Sequence, residues 1–278
     1  MPIHDDLGKR MKEFYENVPK TKLMRRTPVA IRIDGKAFHT FTRGFNKPFD
    51  NVLISAMQDT MKYLCENIQG CVLGYTQSDE ITLILVDYKR LNSSAWFDYE
   101  VQKVCSIAAS MATMAFNRAF HQAVEDADFL WKIGLTPQSV EIQQEHQNYI
   151  KTLRAAESKG AMFDARCFNI PKEEVTNLVY WRQLDATRNS IQMVGQANFS
   201  HKELQGKSCE KIKEMLIAEK GISWEDFHPM YKHGSCCIKV TTEIDGAIRS
   251  SWEVDTNIPL FVGEGREYIE SLIQYKEE

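Results

Sequence analysis

From residue 29 to 34 apolar and polar positions alternate: Val29, Ile31 and Ile33 fall on one side, Arg32 and Asp34 on the other. The pattern predicts a strand with one core face and one face free for chemistry. After a polar loop holding Gly44 and Pro48, the spacing of Leu53, Ile54, Met57, Met61 and Leu64 predicts a helix over residues 51–67, closed by Gly70. Residues 71–76 and 81–86 are apolar or β-favouring and flank Gln77-Ser78-Asp79-Glu80, which predicts a hairpin with those four residues as its turn. A long helical period then runs from Trp96 to about Glu125 through Val101, Val104, Ile107, Ala108, Met111, Met114 and Ala115, and residues 162–170 form a fourth strand pattern.

The order strand, helix, strand, strand, helix, strand is that of an α+β, ferredoxin-like βαββαβ domain. A right-handed βαβ crossover sets the first and second strands parallel, with the third antiparallel between them. That topology brings the end of the first strand, at Asp34, beside the turn that carries Asp79 and Glu80. Residues 121–160 exceed an ordinary connection and are expected to form a helical insertion within a catalytic domain spanning 1–170. Residues 171–278 are expected to form a mainly helical region, helical to about 192 and again over 209–220, with a terminal hairpin of 235–240 and 247–254; RNA binding and oligomerisation are assigned to it.

Composition narrows the class. The chain has 278 residues, 43% of them hydrophobic, enough for a full core. It has no apolar run of membrane-spanning length, and its N-terminus lacks the basic-then-apolar layout of a secretory signal, so no membrane and a cytoplasmic location are expected. Seven scattered cysteines show no paired CxxC spacing, which argues against a disulfide framework or zinc knuckle and for reduced thiols. A net charge of −4 argues against a broadly basic nucleic-acid binder, although Lys9 to Arg26 and Lys202 to Lys213 are locally basic.

The acidic pair is the candidate chemistry. Two carboxylates about 4 Å apart repel by roughly 4 kcal/mol at an effective dielectric near 20, so a fold that converges them needs a positive partner. Asp34 and Asp79 across two Mg2+ ions, with the Gly35 carbonyl as a further oxygen, match the two-metal scheme for phosphoryl chemistry, and Gly35 would permit close backbone approach. Glu80 is either a third ligand or an acceptor behind the ligands. Asp-Gly and Ser-Asp are common in turns, so neither motif alone points beyond an ordinary loop; their joint placement does. Arg32, Lys36, Lys47 and Lys103 are candidate contacts to phosphate oxygens.

The segments RIDGKAFHTFTRGFNKPFD, YTQSDEITLIL, FDARCFNIP and WRQLDATRNSI, followed by Leu204-Gln205-Gly206 and a PMYKHG run, together resemble the tRNA-His guanylyltransferase family of 3′-to-5′ polymerases, in order from about Arg32 to Val240. The resemblance implies a polymerase/cyclase-type palm with two Mg2+ ions on Asp34, Gly35 and Asp79, and a role for Glu80 close by. It also implies nucleotide contacts from Asp34, Gly35, Lys36, Ala37, Phe38, His39, Ser78 and Asp79, and phosphate contacts from Arg32, Lys47, Lys103 and Asn189. The implied partners are tRNA, ATP or GTP and other nucleoside triphosphates, and three further copies in a homotetramer.

Where eukaryotic members carry His-Ile-Asn-Asn, this chain has Thr187-Arg188-Asn189-Ser190, in which it is similar to the bacterial and archaeal guanylyltransferase-like branch; Glu100 stands where eukaryotic members have a basic residue, a departure at one of the family's phosphate contacts. That branch implies template-directed repair of tRNA 5′ ends. The competing readings are a nucleotide cyclase on the same palm, which would make a cyclic product without RNA, and a non-catalytic tRNA-binding protein, whose role would survive loss of Asp34 and Asp79.

Overall fold

The computed structural model describes residues 6–134, 139–244 and 247–274. A short helix α1 (Asp6–Met11) precedes strand β1 (Val29–Gly35), a single helical turn α2 (Phe38–Phe41), helix α3 (Asn51–Asn67) and the hairpin β2 (Cys71–Gln77) and β3 (Glu80–Leu85). Two long helices, α4 (Val101–Ile133) and α5 (Val140–Lys159), lead to β4 (Phe163–Asn169). Helix α6 (Lys172–Asn198), the shorter α7 (His201–Leu204), α8 (Cys209–Met215) and α9 (Pro229–His233), the hairpin β5 (Ser235–Ile244) and β6 (Ala247–Asp255), and α10 (Glu267–Ile273) complete the chain.

The strands form one antiparallel sheet in the order β4-β1-β3-β2-β5-β6. Its first four members have the split βαβ arrangement, with β3 antiparallel to both β1 and β2. The C-terminal hairpin extends this sheet: Gly74, Tyr75 and Thr76 of β2 pair with Cys237, Cys236 and Ser235 of β5. The sheet therefore runs across the boundary at residue 170.

Each face carries its own core. Val29, Ile31 and Ile33 lie with Ile81, Leu83 and Leu85 under α3 and α4, where Ala108 and Ala112 are wholly buried and let the helix approach the sheet closely. Phe116 and Phe120 extend this core toward α2 through Phe41, with ring centroids 5.7 and 5.2 Å away. On the opposite face Ala30, Tyr75 and Ile84 meet Val175 and Val179 of α6 and Ile269 of α10. The alternation in β1 thus splits as its sequence predicts, and Arg32 and Asp34 stand on the face that α6 shares.

The helical excursion differs from its expected bounds. Helix α4 begins at Val101, after a separate 3₁₀ turn over Trp96–Tyr99, and runs unbroken to Ile133, so residues 121–133 continue the core helix. Helix α5 returns along it, tied by a hydrogen bond between His121 and Glu157 at 2.7 Å and by Arg154, which reaches Glu125 and Glu157. Residues 135–138 between the two helices lie outside the described residues. No helix among the described residues is long and apolar enough to cross a membrane.

Candidate active site

The site forms where β1 ends against the β2–β3 turn. Asp34 is in register with Glu80 of β3 and with Asp164 of β4. The Gly35 N–H donates to the Asp79 carbonyl at 3.0 Å and so carries the ladder one step into the turn. The turn itself is tighter than expected: only Ser78 and Asp79 are outside the strands. Ser78 has a φ of 52°, a left-handed backbone uncommon for a residue with a side chain, and its hydroxyl donates to Asp79 Oδ1 at 3.0 Å.

Gly35 also has a packing role. A Cβ at this position would lie 2.3 Å from the Phe38 ring. Phe38 is buried among Phe41, Phe116 and Phe163 at centroid distances of 5.1, 5.5 and 5.2 Å, so it has no room to retreat. The space freed by the missing side chain is filled by an aromatic ring. It lets β1 turn directly into α2, through Ala37 at a left-handed φ of 55°.

A cavity of about 490 Å³ opens beside this turn, within the range of small-molecule sites. Gly35, Ala37, His39, Lys47, Ser78 and Asp79 all line it, as does one edge of the otherwise buried Phe38. Lys36 is exposed next to the lining residues, and its N–H is held by the Met162 carbonyl at 2.8 Å. Asn189 lies on α6 in an adjoining smaller hollow that shares Ser78, Asp50 and Met193 with the first, and its amide is 3.5 Å from Asp185. Lys103 is elsewhere. It stands in the first turn of α4, 3.7 Å from Glu100, where the Val101 N–H bonds to the Thr21 carbonyl; that is beside the entry to β1, whereas Asp34 is at its exit.

Two carboxylates at the site are held above the usual range. Burial, then the charges of Glu80 and Asp164, push the Asp34 carboxyl above the usual range, against a smaller pull from Arg166 and Arg32. Asp79 is also raised, chiefly by burial, with hydrogen bonds from Ser78 and its own backbone opposing the repulsion from Asp34 and Glu80. Neither has an ion-pair partner within bonding distance among the described residues.

Glu80 differs from both. It is a buried strand residue, and each of its oxygens is taken by an arginine: Oε2 by Arg32 Nη2 at 2.8 Å, Oε1 by Arg182 Nε at 2.7 Å. Both of its oxygens are therefore engaged by cations. Arg182 sits in the WRQ segment, 102 residues from Glu80, and nothing in the local pattern assigned it to the site. Asp164 and Arg166, bonded to each other at 2.9 Å, also escaped notice, although their alternation on β4 marks a face outside the core.

What the acidic pair can hold follows from its donors. Asp34 and Asp79 offer hard oxygens, and among the described residues no group of three or more His, Cys, Asp or Glu side chains converges to cage a metal ion. Mg2+ needs no such cage: it keeps several waters and is bound by one or two carboxylates together with substrate phosphates. The residues therefore suit Mg2+ arriving with a triphosphate. They do not suit zinc.

A split βαβ sheet with paired carboxylates at its strand ends, opening on a nucleotide-sized cavity, defines a palm-type enzyme. The family model for tRNA-His guanylyltransferase matches residues 8–171. A bacterial tRNA-His guanylyltransferase-like protein solved in complex with ATP superposes with a TM-score of 0.77 at 38% identity, over 97% of this chain and all of that one. The bacterial structure in complex with GTP gives 0.72 at 37% identity, over 96% of this chain and 99% of that one. An uncharacterized protein of Acanthamoeba polyphaga mimivirus is 28% identical over 91% of this chain and 85% of its own length. The tRNA(His) guanylyltransferase of Saccharomyces cerevisiae is 24% identical over 74% of this chain and 80% of its own length. The chain belongs to the tRNA-His guanylyltransferase family and is a nucleotidyltransferase.

Proposed function

We propose that this protein extends the 5′ end of tRNA in the 3′-to-5′ direction under the direction of the opposing acceptor strand, repairing truncated ends. The observation that carries this reading is the convergence of Asp34 and Asp79, two carboxylates with no ion-pair partner within bonding distance among the described residues, where the end of β1 meets the turn whose Ser78 and Asp79 line the cavity. A 5′-monophosphate is first activated by ATP with release of pyrophosphate; the 3′-hydroxyl of an incoming nucleoside triphosphate then attacks the activated phosphorus and displaces AMP.

In this reading Asp34, Asp79 and the Gly35 carbonyl hold two Mg2+ ions, which when bound supply a lowered pKa for the attacking hydroxyl and neutralise charge on the leaving phosphate. The backbone from Gly35 to His39 and the Ser78 turn shape the wall against which the nucleotide rests, and Lys47 on that wall offers a cationic donor to its phosphates; Arg32, outside the lining and bound to Glu80, is the second donor assigned to them. Asn189 extends that contact set into the adjoining hollow. Lys103, remote from Asp34 in its own subunit, would contact phosphate on a substrate shared between copies of a homotetramer that grips one tRNA across subunits. ATP and GTP, the ligands of the bacterial neighbours, are the nucleotides assigned here.

The test is incubation with a 5′-truncated tRNA, ATP, Mg2+ and all four nucleoside triphosphates, with sequencing of the product 5′ ends. Extension that matches the opposing strand is expected. No extension under conditions where a family enzyme extends the same RNA would reject the proposal, and a cyclic nucleotide formed without RNA would favour the cyclase.

A further inference from the structure

Glu80 is shared between two arginines in an uneven way. Arg182 gives it Nε at 2.7 Å and fastens its own Nη2 to Asp185 at 2.9 Å, so its guanidinium is fixed at both ends. Arg32 gives Glu80 a single contact, Nη2 to Oε2 at 2.8 Å. The Arg32 Nε is buried and has no hydrogen-bond partner. Trp181 lies against both cations, 4.4 Å from Arg182 and 5.4 Å from Arg32, and keeps them in place from one side.

The preferred contact of an arginine with a carboxylate is bidentate, two parallel N–H donors on two oxygens. Arg32 does not make it; Arg182 holds Oε1. A buried donor without an acceptor is unfavourable, and here it belongs to the residue that shares a strand face with Asp34. Neither Arg182 nor its segment was assigned a task by any motif of the site.

We propose that Arg182 is a positioning residue: by occupying one oxygen of Glu80 it limits Arg32 to one contact with that carboxylate and leaves the remainder of the Arg32 guanidinium for the phosphates of a bound nucleotide. The inference rests on the nucleotide reading given above and deepens it. It makes opposite demands on the two ends of one ion pair. Removing Arg182 lets Arg32 close on Glu80 and be lost to the nucleotide; neutralising Glu80 releases Arg32 altogether.

The experiment measures binding of ATP with Mg2+, without RNA so that nothing turns over, by titration calorimetry on the full chain. Arg182→Met is expected to weaken ATP binding about tenfold, the worth of one charge-assisted hydrogen bond. Arg182→Lys, which restores a cation to Glu80, recovers most of the loss. Glu80→Gln binds ATP at least as tightly as the unaltered protein. In an Arg32→Ala background, Arg182→Met changes the affinity by less than about twofold, since the group it acts through is gone.

Equal losses from Arg182→Met in both backgrounds, or a Glu80→Gln protein weakened like Arg182→Met, would overturn the inference while leaving the nucleotide site intact. Should Arg182→Met not fold, Arg182→Lys and Glu80→Gln decide alone: both near the unaltered affinity supports the proposal, and a Glu80→Gln loss of about tenfold refutes it. An unaltered protein that binds no ATP would overturn both readings together.

Discussion

Replacing Gly35 with alanine tests the link between core packing and the site at one atom. The new methyl would lie 2.3 Å from the Phe38 ring, well inside van der Waals contact. Phe38 is 5% exposed and boxed in by three other phenylalanines, so relief has to come from backbone movement at the exit of β1. Overpacking of this kind costs about 1–3 kcal/mol. For a chain of this size that corresponds to a fall in Tm of roughly 2–12 °C, at about 2–4 °C per kcal/mol.

Gly74→Ala is the control. Its methyl would come within 2.6 Å of Cys65 Sγ and 2.8 Å of Met61 Cγ, a comparable clash located in the core away from the cavity. Thermal melts should show both variants destabilised, whereas 5′-extension assays at a temperature where both are folded should show a loss of at least about tenfold for Gly35→Ala alone, the scale of a small displacement of catalytic groups. Adding Phe38→Leu to Gly35→Ala should return part of the stability by shortening the obstructing side chain. A Gly35→Ala protein with unchanged Tm, or one destabilised but fully active, would refute the argument that the Phe38 ring occupies the glycine's space and sets the geometry of Asp34.

Other outcomes follow from the same geometry. Asp34→Asn and Asp79→Asn should each lower 5′ extension by at least about 100-fold, more than the usual effect of losing a residue behind a metal ligand. Both should nevertheless raise the Tm of the ligand-free protein, because the charged form of each carboxyl is disfavoured in the fold; a fall in Tm would contradict the raised carboxyl values. His233 is held below its ordinary value by burial and by Lys232. The unfolded chain therefore takes up that proton first, and the stability tied to neutral His233 is complete above pH about 6.5 and is lost as pH falls from there through the folded value. Denaturant midpoints between pH 7.5 and 5 should fall more steeply for the unaltered protein than for His233→Gln, and parallel curves would dismiss this. Phe120→Ala removes a ring 5.2 Å from Phe41 and 5.6 Å from Phe116, and should cost about 3–5 kcal/mol in urea unfolding; a loss under 1 kcal/mol would mean the cluster repacks freely.

Much of the architecture was legible because it is written in local periods. The alternation through Val29, Ile31 and Ile33 sets the two faces of β1, and the chirality of a βαβ crossover carries Asp34 to the turn of the next hairpin, where the register puts it opposite Glu80. Lys103 could not be placed by such reasoning. A helical period gives the face of a residue and not which end of the sheet the helix starts from, and α4 starts at the far end. The terminal hairpin was legible as a hairpin; its pairing with β2 was not, because ladder partners 160 residues apart leave no periodic trace.

The sequence by itself determined the strand faces, the hairpin, the family resemblance and the acidic pair, since each depends on residues close together or on a general rule of handedness. Tertiary structure alone decided what the side chains do there: Gly35 makes room for a ring, Glu80 is held between Arg32 and Arg182, and Asp34 and Asp79 are left, among the described residues, without an ion-pair partner within bonding distance. The physical reason is that charge compensation and steric room depend on distances in space. A chain specifies them only once helix and sheet from distant segments have packed.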